Sequence, residues 1–319
     1  MSAKRLIAIA ILAAAAGCSG NAPEPPPGPK TLRFALIPKG LDIPVFDYAN
    51  KGAQREAKSL GNVEVIYRGP ERADELKQKE ILESFINQKV DGIAISVVNA
   101  AFLTSTIDKA IAAGIPVVTW DSDAPESKRI AFYGVDDVRA GQIMGENVVK
   151  LLGGKGTVAL MTSLGANNLQ RRLDGVKEVL AKHPGIKVVE TYDVKEDSVR
   201  AAELIATGTN RYPTLGAWVS VGGWPVFTQN ALAPVPATTK VISFDTNPPA
   251  PDLIKSGKAQ VLIGQKYFGW GSETIKLLHQ IVNGQKPATT IIDSGVDVVT
   301  QENVDAYIAQ WKVMESGGK

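Results

Sequence analysis

The sequence predicts an α/β protein made of two parallel-sheet halves laid in tandem. Three observations carry this. Short apolar runs alternate with amphipathic stretches from Leu32 onward. The alternation breaks near residues 134–140 and then begins again. Gly61, Gly92 and Gly114 fall near element ends, where turns and left-handed helix caps want them. Strands alternating with helices and joined by short turns are the pattern of a parallel sheet covered on its faces.

The elements follow in order. "LRFALIP" reads as the first strand and "FDYANKGAQREAKSLG" as its helix; "VEVIYR" and "ADELKQKEILESFINQK" repeat the pair. "DGIAIS" precedes the helical "LTSTIDKAIAAG", and "IPVVTW" closes the set, with a further apolar run at 130–135. After the helical "VRAGQIMGENVVKLL", the second half offers "GTVALMTS", "IKVVETY", "LGAWVSVG", "TKVISFD" and "AQVLIGQ" as strands. Helices are predicted over "NNLQRRLDGVKEVLAKH", "SVRAAELIATGTNRY", residues 225–232 and "GSETIKLLHQIVNG".

The N-terminus is a different kind of sequence. Lys4 and Arg5 precede an apolar stretch over 6–16 and small residues before Cys18, the only cysteine of the chain. That is a secretion signal, too short to span a bilayer as a helix, and no intramolecular disulfide is possible. "AAGC" at 15–18 resembles the bacterial lipobox, which implies a lipoprotein signal peptide over 1–17 and a lipid anchor on Cys18. Ser19, rather than Asp, after that cysteine fits outer-membrane sorting in a cell with two membranes. Residues 18–30, "CSGNAPEPPPGPK", lack apolar periodicity and read as an extended tether.

Composition narrows the function. The 319 residues are 44% hydrophobic and 21% charged, with net charge +2, which argues against a nucleic-acid binder. His183 and His279 are the only histidines, far apart on predicted helices, so no metal-ligand spacing appears. Asp121-x-Asp123 lacks the glycine and distal glutamate of a calcium loop. There is no G-x-G-x-x-G after the first strand, no P-loop and no G-x-S-x-G elbow. No cofactor is implied.

"KGAQREAKSLG", "DGIAIS", "AIAAGIPVVTWDSD", "YGVDDVRAGQIMGE", "RRLDGVKEVLAKHPGIKVV", "VISFDTNPP" and "IKSGKAQVLIGQ" together resemble the periplasmic sugar-binding proteins of ABC transporters, the ribose/galactose type. That type shares its fold with the ligand domain of lactose-repressor-like regulators. The resemblance covers about residues 32–300. It implies two Rossmann-like parallel-sheet lobes joined by a three-segment hinge, with a ligand cleft between them. The lobes are expected over 31–135 plus 266–295 and 136–265 plus 296–319, with crossings near 135–137, 264–266 and 295–299. A repressor would need an N-terminal helix-turn-helix where this chain has a signal and a tether.

In parallel α/β sheets, ligands bind beyond the carboxyl ends of the strands. Sugar hydroxyls need fixed partners there, and aromatic faces suit the C–H side of the ring. By resemblance, Phe46, Asp121, Asp137, Arg172, Asp245 and Gln265 match family ligand positions; packing competes for Phe46, capping for Asp121, the hinge for Asp137 and the surface for Arg172. Lys39 and Asp42, in the loop after the first strand, stand evenly between ligand contact and loop structure. Asn99, Asn167 and Asn168 are equally helix caps or contacts. Ser122 stands where many relatives carry arginine. Gly223 and Trp224, in "SVGGWP", replace the asparagine–aspartate of the family, so only the location carries over. Asp123 is expected to shape a turn and Asp136 to cap a helix; of the aromatics Tyr267, Phe268 and Trp270, hinge packing is expected of some.

The implied function is an extracytoplasmic, lipid-anchored, monomeric solute-binding protein that closes on a pentose or hexose and delivers it to an ABC permease. A sensor or chemoreceptor partner is the alternative. A carbohydrate-active enzyme, with Asp121 and Asp245 as paired carboxylates, is the third.

Overall fold

The structure is a computed structural model and describes residues 30–317. The expected signal peptide, the lipidation site Cys18 and all but the last residue of the tether lie outside the described residues. In the first lobe β1 (Leu32–Ile37), α1 (Val45–Leu60), β2 (Val63–Tyr67), α2 (Glu75–Asn87), β3 (Gly92–Ile95), α3 (Ala100–Ala112), β4 (Val117–Trp120) and β5 (Ala131–Gly134) follow one another. The chain crosses at 135–136 into the second lobe. There it forms α4 (Asp137–Leu152), β6 (Gly156–Thr162), α5 (Asn167–Ala181), β7 (Ile186–Asp193), α6 (Ser198–Arg211), β8 (Ala217–Ser220), α7 (Trp224–Phe227), β9 (Lys240–Phe244), α8 (Ala250–Lys255) and β10 (Val261–Gly264). It returns at 265–266 through α9 (Tyr267–Val282) and β11 (Ile291–Asp293), then crosses again at 294–296 to β12 (Asp297–Val299) and α10 (Val304–Ser316).

The two sheets repeat one topology. The first runs β2-β1-β3-β4-β5-β11 and the second β7-β6-β8-β9-β10-β12. All pairs are parallel except β12, which runs antiparallel to β10. Three crossings join them, as the resemblance implies. The third falls slightly earlier than expected, because Asp297–Val299 already pairs with β10. The sequence reading names neither three-residue edge strand, and its helix over 225–232 shrinks to four residues. Asn230, in the left-handed region at φ 63°, lies in the turn that replaces the rest.

Both faces of each sheet are covered, which is why the strands read as unbroken apolar runs. On β1, Phe34 and Leu36 join the cluster that includes Phe46, Trp270 and Leu278, while Ala35 and Ile37 join Leu82, Phe85, Leu103 and Ile107. Two helix pairs approach closely through glycine. A Cβ on Gly271 of α9 would overlap the Ala49 carbonyl oxygen of α1, and one on Gly52 that of Phe268. In the second lobe a Cβ on Gly141 of α4 would overlap the Arg172 carbonyl of α5, and one on Gly175 that of Val138. These close approaches pack α1 on α9 and α4 on α5.

α10 touches both lobes. Lys255 pairs with Asp305 at 2.7 Å on the second-lobe side. The Trp311 ring lies edge-on to Tyr48 of α1 at 4.9 Å and against Tyr267 of α9 at 5.6 Å. Arg55 of α1 donates to the carbonyls of Met314 and Glu315.

Candidate ligand cleft

The carboxyl ends of the two sheets face each other, and each equivalent strand delivers an aspartate. Asp121 follows β4 and Asp245 follows β9, both with left-handed backbone (φ 57° and 74°) and both buried. Residues with a Cβ avoid that region, and such strain clusters where a side chain must be aimed. At Asp121 the turn is tight: the Ser122 amide donates to the Trp120 carbonyl at 2.6 Å, two residues back. Ser96 Oγ donates to Asp121 Oδ2 at 2.7 Å. Gln265 Nε2 and the Tyr267 hydroxyl donate to Asp245 Oδ1 at 3.2 and 3.0 Å. Burial pushes the Asp245 carboxyl up to about 6, against the pull of Arg172, Gln265 and Tyr267.

The start of α5 supplies Asn168 and Arg172, one turn apart. Arg172 is buried, and each of its three guanidinium nitrogens donates once: Nε to Asp137 Oδ1 at 2.8 Å, Nη1 to the Val221 carbonyl at 3.3 Å and Nη2 to Gln265 Oε1 at 3.0 Å. Its plane lies over the Phe244 ring at 4.0 Å. Asp137 stands behind it at the start of α4. Burial pushes the Asp137 carboxyl up to about 7, and Arg172 opposes that rise.

From the first lobe, Lys39 reaches across. Its Nζ donates to Asn168 Oδ1 at 3.1 Å and to Glu196 Oε1 at 3.3 Å, and lies 3.8 Å from Asp121 Oδ2. Asn168 Nδ2 donates back to Asp121 Oδ1 at 3.4 Å. Phe46 packs edge-on against Trp120 at 5.3 Å and tilts against Trp270 at 5.9 Å. Trp224 is buried, and its Nε1 donates to Glu196 Oε2 at 3.1 Å. Glycine is required beneath it: a Cβ on Gly222 would meet the Trp224 ring at 2.6 Å, and one on Gly223 would overlap Asp245.

Lys39, Phe46, Asp121, Arg172, Gly223, Trp224, Asp245 and Gln265 thus line one cavity between the lobes. About 40 Å³ of space remains in it, room on the order of one to a few waters, so the lobes stand close together. Two residues singled out in the sequence stand elsewhere. Asp137 lies behind Arg172, and Ser122 is fully buried with its Oγ unpaired, apart from the cavity lining. Asp123 holds Arg129 and Thr119, and Asp136 and Asn99 cap α4 and α3. Sequence reasoning missed Glu196, which also lines the cavity; its place just past β7 is the signal that could have found it. A wider groove of about 750 Å³ at the opposite end of the first lobe is lined by Ile86, Val90, Ile115 and Ile281 beside Lys89 and Asp91, and gathers no comparable polar set. Among the described residues, no three metal-ligating side chains cluster.

The arrangement can hold a small polar solute from both sides. It offers carboxylates as acceptors, cations already fixed in place, and aromatic walls.

Comparisons with known proteins bear on the fold as a whole. Residues 34–286 match the family described as periplasmic binding protein domain. The ribose import binding protein RbsB of Bacillus subtilis is 25% identical over 272 residues, covering 82% of this chain and 85% of that protein. A Burkholderia graminis ABC transporter solute-binding protein, solved in complex with D-arabinose, superposes with a TM-score of 0.80 at 34% identity. That match covers 87% of this chain and 98% of that one. A solved XylFII–LytSN complex matches with a TM-score of 0.80 at 26% identity, over 86% and 99% of the two chains.

Proposed function

This chain belongs to the periplasmic binding protein domain family, and from that premise we propose that it captures a pentose or hexose by hinge closure and delivers it to an ABC permease. The family is one of extracytoplasmic solute-binding proteins, and the relatives named above include ribose- and arabinose-binding ones. The observation that supports the reading for this chain is the convergence of Asp121 and Asp245, from equivalent strand ends of two lobes, on one cavity with Arg172, Lys39, Gln265 and four aromatic rings.

The physical account is short. A sugar hydroxyl both donates and accepts, and each one buried without a partner costs about 1–3 kcal/mol. Asp121, Asp245 and Glu196 accept; Lys39, Arg172, Gln265 and Asn168 donate. Phe46 and Trp224 offer apolar faces to the ring. Because the donors and acceptors come from both lobes, the ligand meets its full set only when the lobes are together. Binding therefore shifts the population toward closure. A monomer on a lipid anchor at Cys18, with 18–30 as tether, would hold the lobes within reach of a membrane partner.

Titration calorimetry against pentoses, hexoses, amino acids and the quorum signal autoinducer-2 tests this. Sugars should bind well below millimolar; no binding by any sugar at about millimolar overturns it. The XylFII–LytSN complex favours a second reading, in which the closed form docks on a protein partner other than a permease. Pull-down of a permease subunit by the sugar-loaded protein separates the two. We read the pair Asp121 and Asp245 as binding groups rather than as an acid and a base, because Ser96 holds Asp121, and Gln265 and Tyr267 hold Asp245, as hydrogen-bond acceptors. Turnover of a glycoside that is lost in Asp245→Asn would reverse that judgement.

A further inference from the structure

We propose that Glu196, paired with Lys39 across the cleft, both fastens the lobes together and restricts the site to uncharged, hydroxyl-rich ligands, turning sugar acids away. This rests on the sugar reading and deepens it.

Three observations carry it. Lys195 and Glu196 are successive non-glycine residues with left-handed backbone, φ 55° and 53°. Side-chain-bearing residues avoid that conformation, and here it places the Glu196 carboxylate in the cleft with only 12% of its side chain exposed. Glu196 is then held from both lobes: Oε1 accepts from Lys39 Nζ of the first at 3.3 Å, and Oε2 from Trp224 Nε1 of the second at 3.1 Å. The polar chain Asp121–Asn168–Lys39–Glu196 thereby crosses the cleft three times.

The third observation is the balance of charge. Three carboxylates, Asp121, Asp245 and Glu196, line the cavity against two cations, Lys39 and Arg172, and Arg172 is already paired with Asp137. A carboxylate offers about four acceptor positions, and Glu196 uses two of them on protein donors. The site is therefore richer in open acceptors than in open donors. Hydroxyl groups suit it. A ligand carboxylate or phosphate adds like charge at short range in a site shielded from water, where such repulsion is strong. Removing the Glu196 charge leaves Lys39 with one counter-charge fewer and the site more tolerant of anions.

The test is calorimetric titration of wild type, Glu196→Gln and Lys39→Met with matched pairs: D-galactose and D-galacturonate, D-glucose and D-glucuronate, D-xylose and D-xylonate. Wild type should favour the neutral member by at least about tenfold. Glu196→Gln, which keeps the side-chain shape, should narrow that ratio by about tenfold, chiefly through tighter binding of the acid, and Lys39→Met should widen it. A ratio unchanged in Glu196→Gln, or a wild type that prefers the acids, overturns the inference while leaving the sugar reading standing. If wild type binds none of these sugars, the sugar reading falls, and the pair is judged on the unliganded protein by the distance between labels on the two lobes. Glu196→Gln widening that distance supports the pairing; an unchanged distance overturns it.

Discussion

Arg172 and Asp137 show why single residues in this cleft need separate treatment. Their ion pair is buried at 2.8 Å, and removing one partner of a buried pair strands the other at a cost of about 3–5 kcal/mol. Arg172→Ala should therefore lower thermal stability markedly as well as abolish ligand affinity. Scanning calorimetry beside titration checks both. Asp121→Asn is the cleaner probe of the cleft, because the shape is kept: affinity should fall by about 10- to 100-fold, on the order of 1–3 kcal/mol, with the melting temperature little changed. The Asp137 carboxyl, pushed up to about 7 by burial, gives a pH signature. Between about pH 4 and 7 the unfolded chain has lost this proton while the folded one keeps it. Its contribution favours the folded state at low pH and is lost as pH rises through 7. Melting curves from pH 4 to 8 should show that decline in wild type and a flatter profile in Asp137→Asn. The strand-end aspartates and Arg172 were legible from sequence because they stand where strands end and a helix begins. Ser122 and Glu196 were not. The tight turn at Asp121 and the left-handed pair at Lys195 and Glu196 decide which side chain enters the cleft, and no local pattern announces either.

At the scale of elements, β1 to β10 and most of the helices were legible because burial on both faces leaves continuous apolar runs and the helices keep a 3.6-residue stripe, whereas α8 and α10 are not named in the sequence reading. β11 and β12 escaped because three-residue edge strands carry too little pattern, and α7 was read too long because its continuation is apolar but turns. Glycine is the less visible determinant. Gly271 and Gly52 let α9 meet α1, and Gly141 and Gly175 let α4 meet α5, where a methyl group would strike backbone rather than a movable side chain. Overpacking of this kind costs about 1–3 kcal/mol or more. Gly271→Ala should lower the melting temperature by several degrees. Gly141→Ala should in addition weaken ligand binding, because the carbonyl it strikes belongs to Arg172. Thermal denaturation with and without ligand separates the two effects.

For the whole molecule, the pairing of two like sheets was legible in the restart of the βα pattern, whereas the role of α10 was not, since its contacts lie on both lobes. Trp311 packs on Tyr48, Tyr267 and Phe268 of the first lobe and on Tyr307 of α10 itself. Trp311→Ala should remove about 3–5 kcal/mol of stability, read by denaturant unfolding. The threefold crossing has another consequence, for the order in which the chain can fold. Each lobe draws five of its six strands from one unbroken stretch, 32–134 and 156–264, but the first also depends on α9, which is made only after the second stretch. Until residues 267–293 emerge from the ribosome, the apolar face carrying Phe46 and Trp120 has no α9 to cover it. The lobe synthesised first thus stays without its covering helix until most of the second has been made, and during that interval it is the part of the nascent chain most in need of a chaperone.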